Sequence, residues 1–277
     1  MSTRAPVVVA IPNYNMSGNL RRLLPQVLAQ SYDGVYVLDD CSTDDTVDVV
    51  KDFGGDVTLI RGRENGGPAA NRNQIIDHVQ DDVIIHFIDA DMDLATHETP
   101  TVAREVMGRY ADRGVGLVGG LVTRLDGSQE LDNFGAVFSL WGNSTAVVQL
   151  LIDSLRKKNP KMARAVRRAA GPIVKDWPNI LEPPAPTPVY WVHEGNMLVN
   201  STLFKSMGGY DPVLRAHEAQ DLAIRLEKLG VGRQFDPSIE VVHHEVDVRG
   251  KNRQKWVNKA SMYLLRKYGI LRFLTDH

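Results

Sequence analysis

Val83-Ile84-Ile85-His86-Phe87-Ile88 runs straight into Asp89-Ala90-Asp91. A short, strongly apolar run that ends on carboxylates reads as a buried strand with a polar end. The same rhythm recurs toward the N-terminus. Val7 to Ile11 is a continuous β-branched run that breaks at Pro12-Asn13-Tyr14-Asn15. Leu20, Leu23, Leu24, Val27 and Leu28 then recur at helical spacing. Val35 to Leu38 is a second strand ending on Asp39-Asp40, and Ser42 with Asp45 fits a capping box for the next helix. Val57 to Ile60 is a third strand. Gly66-Gly67 breaks the chain, and Pro68 suits the first turn of a helix reaching about Gln80. This alternation predicts an α/β fold with a largely parallel sheet covered by helices. Ligands of such sheets bind beyond the carboxyl ends of the strands. Pro12 to Asn15, Asp39-Asp40 and Asp89 to Asp91 all stand at such ends, and the loop from Asn65 to Asn73 is expected to join them.

Composition narrows the function. The chain has 277 residues, 43% apolar and 24% charged, with a net charge of -2. These are the proportions of a globular protein long enough to bury a sizeable core. The near-neutral balance excludes a generally basic nucleic-acid-coating protein, though not a local basic patch. The single cysteine, Cys41, excludes a disulfide framework and a cysteine zinc cluster, and it suits a reducing compartment. No apolar run approaches the roughly 18 residues of a membrane span. No apolar segment with a cleavage site opens the sequence. The expected location is cytoplasmic, with association at a membrane surface left open.

The second half is less regular. Thr99 to Arg113 reads as helix, Val115 to Val122 as strand, 124–148 as strands and loops, and 150–175 as basic helix. Val189 to Val192 and Met197 to Val199 are short strands. Glu218 to Leu229 is an amphipathic helix, and Val241-Val242 leads into His243-His244. Asn252 to Tyr268 is a last helix with Gly269 at its C-cap.

Two carboxylates at a strand end, Asp89 and Asp91, can meet one hard cation, and such an ion would stabilise a diphosphate leaving group. The plainer reading is that they cap the next helix. Asp39 or Asp40 can accept a hydrogen bond from a base N–H or a ribose hydroxyl, or can likewise cap. Gly66 and Gly67 permit close backbone approach to a ligand. Arg72 can reach a diphosphate or hold Asp89 or Asp91, or simply face solvent.

Taken in order, Ile11 to Asn15, Val37 to Thr46, Asn65-Gly66-Gly67 through Arg72-Asn73, Asp89-Ala90-Asp91, Gly195 to Leu198, Phe204 to Asp211 and Glu218 to Leu226 resemble the family 2 glycosyltransferases. The resemblance covers about residues 6–245, weakly between 124 and 188. It implies the GT-A fold in residues 1–245, with a nucleotide-sugar-binding half at 1–123, an acceptor-binding half at 124–245, and a helical extension at 246–277. It implies metal-dependent, inverting transfer of a sugar from a nucleoside diphosphate donor to an acceptor hydroxyl. UDP is the donor of commonest use, with dTDP and GDP as alternatives. Asp40 would contact the base, with Pro12 and Tyr14 shaping its pocket. Asn13, Asn15, Asp39, Asn65, Gly66, Arg72, Asp89 and Ala90 would complete the donor site. Asp91, with Asp89 and a later histidine, would ligate Mn²⁺ or Mg²⁺. Trp191, His193, Gly195 and Asn196 would border the acceptor.

The general base is where the pattern departs. The family shows Glu-Asp-x-Asp-Leu followed by Arg; here Glu218-Ala219-Gln220-Asp221-Leu222 precedes Arg225. Either Glu218 or Asp221 serves as base, or the protein is a non-catalytic nucleotide- or glycan-binding relative. Glu218 at the helix start is the favoured base, and Asp221, one turn on, is placed to hold Arg225 instead. Adjacent strand residues face opposite ways, so one of His243 and His244 reaches the site, and His243 is the expected one. Between 156 and 175, eight basic residues are either a solvated helix face or a patch for an anionic acceptor or membrane surface. A nucleotidyltransferase is disfavoured, because Pro12 to Asn15 is not a glycine-rich phosphate loop.

Overall fold

The computed structural model describes residues 4–244 and 250–275. The first half follows the expected alternation: β1 (Val7–Asn13), α1 (Ser17–Leu28), β2 (Gly34–Asp39), α2 (Thr46–Lys51), β3 (Thr58–Arg61), α3 (Pro68–Asn73) and β4 (Ile84–Ile88). Strand β5 (Met92–Leu94) and helix α4 (Thr99–Ala111) follow. Then come β6 (Val115–Arg124), β7 (Phe134–Gly135), α5 (Leu140–Lys158), α6 (Pro160–Ala169), β8 (Thr187–Pro188), β9 (Trp191–Val192) and β10 (Asn196–Asn200). The remaining elements are α7 (Ser201–Ser206), α8 (Glu218–Lys228), β11 (Gly232–His243), α9 (Arg253–Tyr268) and α10 (Ile270–Thr275).

The main sheet runs β3-β2-β1-β4-β10-β6-β11-β5. Its first four strands are parallel, whereas β10 lies antiparallel to both β4 and β6. Parallel ladders make up most of the sheet, as expected, and the antiparallel β10 makes it mixed. The sequence reading saw only two valines of β11, which is twelve residues long and pairs in parallel with β6. Its interruption between Phe235 and Glu240 hides the strand from a periodicity argument.

Apolar residues of α1 (Leu20, Leu23, Leu24 and Val27) bury one face against Val9, Ile11 and Val37. Ser42 does not cap α2: its hydroxyl accepts from the Asn13 amide and the Asn15 backbone N–H, so no capping box forms. Helix α3 stops at Asn73, short of the expected Gln80, because the chain tightens there into a 3₁₀ turn. Helix α5 begins at Leu140, inside a segment read as strands and loops, capped by the Ser139 side chain on the Gly142 N–H. The C-terminal helices are not a separate body, since Ala260 and Leu264 of α9 belong to the core cluster holding Phe87, Phe204 and Leu222. No helix among the described residues is long and apolar enough to cross a membrane.

Candidate active site

Strands β1, β2 and β4 end side by side, because they are adjacent and parallel. Their terminal residues form one polar edge, as expected from the pattern. What each polar group does there differs. Asn13 and Asp39 are buried and bonded to one another, with Ser42 and Thr46 completing Asn13's partners. Asn13 Oδ1 is buried with no hydrogen-bond partner among the described residues, whereas Asp39 is tied into the scaffold. Asn15 likewise accepts from Thr43 N–H at 2.8 Å and shapes the loop. Ala90 is buried in the core beneath. Pro12 and Tyr14 remain partly accessible at the edge.

Asp40 closes the Gly66-Gly67 loop. Its two oxygens accept the amides of Gly66 at 2.7 Å and Gly67 at 2.9 Å. Burial pushes its carboxyl upward, against the pull of these two amides and of Arg215. Gly67 needs its freedom: φ is +89°, and a Cβ there would sit 2.8 Å from Arg215 Cγ. Arg215 in turn donates to the Asn65 side chain at 2.7 Å. The Gly66-Gly67 loop and the segment leading into α8 are thereby tied.

At the end of β4, Arg72 donates to Asp89 Oδ1 at 2.6 Å, and its side chain is only 5% exposed. Burial works against the guanidinium charge, but Asp89, Glu194, Tyr210 and Glu218 restore it and hold it above its ordinary range. One buried cation is thus paired with Asp89 and favoured by the charges of Glu194 and Glu218. Gly195 admits Asp89 closely; a Cβ on it would lie 2.8 Å from Asp89 Oδ2.

Asp91 faces β11. His243 Nε2 lies 3.3 Å from Asp91 Oδ2, and His243 Nδ1 lies 3.1 Å from Glu130 Oε1. His244 turns the other way, to Asp93 at 2.7 Å, as strand alternation requires. Burial disfavours the charged ring of His243, but Asp91 and Glu130 outweigh it and raise it to about 10. Arg124 bonds Glu130 at 3.0 Å and Asp153 of α5 at 3.1 Å. The His193 ring packs edge-on to His243, with centroids 6.1 Å apart, and its Nδ1 accepts the Gly195 N–H.

Glu218 is buried at the first turn of α8, in the Arg72 group. Asp221 is fully buried and accepts Arg225 Nε at 2.8 Å, Lys267 Nζ at 2.6 Å and the Tyr268 hydroxyl at 2.6 Å. With both oxygens engaged, it fastens α9 to α8 and is not placed to take a substrate proton. Trp191 is a core residue, its Nε1 donating to the Ala136 carbonyl and its ring edge-on to Trp177. Its indole also lines the small cavity shared by Glu194 and Ala219. Asn196 is also scaffold, its amide nitrogen donating to the Leu121 and Ile239 carbonyls and its Oδ1 accepting from His86 Nε2 at 2.9 Å. Two residues here escaped sequence reasoning. Glu130 lies in a stretch with no readable period. Glu194 sits between two residues already singled out, and shares with Ala219 the lining of a small cavity of about 10 Å³.

Residues 8–111 match the sequence model of glycosyl transferase family 2. A search of curated proteins finds no match. Among solved structures, GalNAc-T7 with UDP, GalNAc and Mn²⁺ is similar at TM-score 0.58 and 16% identity, over 88% of this chain and 44% of that one. The mannosyltransferase PcManGT from Pyrobaculum calidifontis, with GDP-Man and Mn²⁺, gives 0.57 and 18%, over 96% and 65%. TarS 1-349 from S. aureus with UDP-GlcNAc gives 0.54 and 14%, over 89% and 61%. The chain thus spans between 44% and 65% of the length of these structures. At these identities the likeness speaks for the fold, and the match over 8–111 speaks for the lineage of the first half. The chain has the GT-A fold, and its strand-ending acidic edge lies within the stretch that matches the glycosyl transferase family 2 model.

Proposed function

We propose that this chain is an inverting glycosyltransferase that moves a sugar from a nucleoside diphosphate donor to an acceptor hydroxyl, with Mn²⁺ or Mg²⁺ on the diphosphate. The observation that carries the reading is the meeting of Asp91 and His243, 3.3 Å apart, beside the buried Arg72–Asp89 pair. Among the described residues no three His, Cys, Asp or Glu side chains gather into a complete metal cage. Asp91 and His243 instead fit a cation whose other positions are filled by diphosphate oxygens and water, the usual habit of a small hard ion. A carboxylate with an imidazole also suits Mn²⁺, and Glu130 is the group that orients His243 from behind. Such a cation supplies charge neutralisation of the departing diphosphate.

The chain's own residues do the rest. Arg72 keeps a positive charge beside the phosphates while fixing Asp89. Asp40, through the Gly66-Gly67 loop, shapes the base pocket with Pro12, Tyr14 and Asn65. His193 and Gly195 border the acceptor. Glu218 accepts the acceptor's proton as the sugar is attacked from the face opposite the diphosphate. UDP is the favoured donor; the similar structures hold UDP or GDP.

Calorimetric titration with UDP, dTDP and GDP, each with and without Mn²⁺, tests the reading. One nucleotide should bind tightly only with the metal, and Asp91→Ala should remove that dependence. Absence of binding by all three would overturn it. Ala219 favours one competing reading, a non-catalytic binder, in which metal-dependent nucleotide binding persists but neither transfer nor donor hydrolysis is detected.

A further inference from the structure

Helix α5 buries one side and leaves the other bare. Thr145, Gln149 and Ile152 face inward, whereas Leu140, Val147, Leu150 and Leu151 are exposed, Val147 by 66%. At helical spacing Leu140, Val147 and Leu151 form one outward stripe. Trp141 extends it at 58% exposure. Helix α10 packs beside α5, with Phe138 and Phe273 ring centroids 5.6 Å apart, and adds exposed Ile270 and Leu274.

The stripe runs into a cluster of positive charge. From 156 to 168 there are seven basic residues and no acidic one. Arg156 bonds Asp153, and Arg167 bonds Gln149 and the Trp177 carbonyl. Lys158, Lys161, Arg164 and Arg168 point outward with no acidic partner among the described residues.

We propose that the outer face of α5, with α6 and α10, seats the protein on an anionic lipid bilayer. An exposed apolar stripe beside a dense basic cluster, with an indole at its edge, is the composition of a helix lying in the membrane interface. A second copy of the chain is a poor occupant, because a two-fold contact would set this basic cluster against itself. Nucleic acid is a poor occupant too, because phosphates give the bare leucines and valines nothing to bury against. Seating would also be felt at the site. Asp153 of α5 connects through Arg124 and Glu130 to His243, so the lipid-facing helix and the Asp91–His243 pair are joined by an unbroken series of ion pairs. The inference stands independently of the transferase reading.

The test is co-sedimentation of the full chain with vesicles of phosphatidylcholine alone, or with roughly one-third phosphatidylglycerol. Each basic side chain near an anionic surface is worth roughly a fivefold change in partition. The triple variant Lys158→Gln, Lys161→Gln, Arg164→Gln should therefore bind anionic vesicles about 100-fold less than the parent. High salt should weaken the parent. The pair Val147→Asp, Leu151→Asp should lose binding even at low salt. Trp141 fluorescence should shift to the blue on anionic vesicles, and Trp141→Phe should remove that shift. All substitutions lie on exposed positions, so melting temperature and metal-dependent nucleotide binding should be unchanged. No binding to anionic vesicles, or equal binding to neutral ones, overturns the proposal. So does a parent that light scattering shows to be a dimer and the Val147→Asp, Leu151→Asp variant to be a monomer, since the face would then be a contact between copies.

Discussion

The substitution Asp221→Asn should unfasten the C-terminal helix without removing the chemistry. Asp221 receives hydrogen bonds from Arg225, Lys267 and Tyr268, all within 2.8 Å, and is fully buried. Asparagine keeps the volume and loses the charge. Removing one partner of a buried charged network costs about 3–5 kcal/mol. Lys267 retains Asp211 at 2.6 Å, which moderates the loss, so the expected destabilisation is about 3 kcal/mol. That is a large share of the roughly 5–15 kcal/mol that holds a typical domain folded. Urea unfolding followed by circular dichroism should report it, and hydrogen exchange should rise first across residues 253–268. At a temperature where the variant is folded, turnover should fall less than about tenfold, because a lost general base costs about 10²–10⁴. A variant as stable as the parent but catalytically dead would refute the reasoning and return Asp221 to the role of base.

Glu218→Gln should do the opposite, lowering kcat by about 10²–10⁴ while leaving nucleotide affinity within about twofold, as transfer assays and calorimetry would show. Gly195→Ala should push a methyl to 2.8 Å from Asp89 Oδ2 and against Met92 Cε, weakening metal-dependent nucleotide binding far more than thermal stability. His86 is fully buried between the Tyr32 hydroxyl and Asn196, and burial lowers it from 6.5 to about 4. Its neutral form is the one the fold accepts, so its contribution is complete above pH 6.5 and is lost as pH falls toward 4, by about 3 kcal/mol. Melting curves across that window should show the slope, and His86→Gln should flatten it.

Local pattern determined a good deal. A strand buried on both faces must be apolar, and the polar residues that end it stand out by contrast. The alternation from Val7 to Asp91, the acidic strand ends and the glycines of the Asp40-facing loop were therefore legible from order alone. Strand alternation also separated His243 from His244. The same pattern could not say which polar residues at an edge face a ligand. Asp39 has the chemistry of a contact, yet Asn13, Ser42 and Arg61 engage its oxygens. Asn196 is engaged in the same way, because burial depends on what packs against a residue from elsewhere in the chain.

The groups that define the candidate site were decided by pairings over long separations. Asp91 and His243 are 152 residues apart, and His243 and Glu130 are 113 apart. Asp221 reads like a base beside Glu218 until Lys267, 46 positions later, folds back onto it. Sequence periodicity carries information over a few turns of helix or one strand. The partner of a charge is set by sheet order and helix packing, so the sequence determined which residues could do chemistry, and the tertiary structure decided which of them meet.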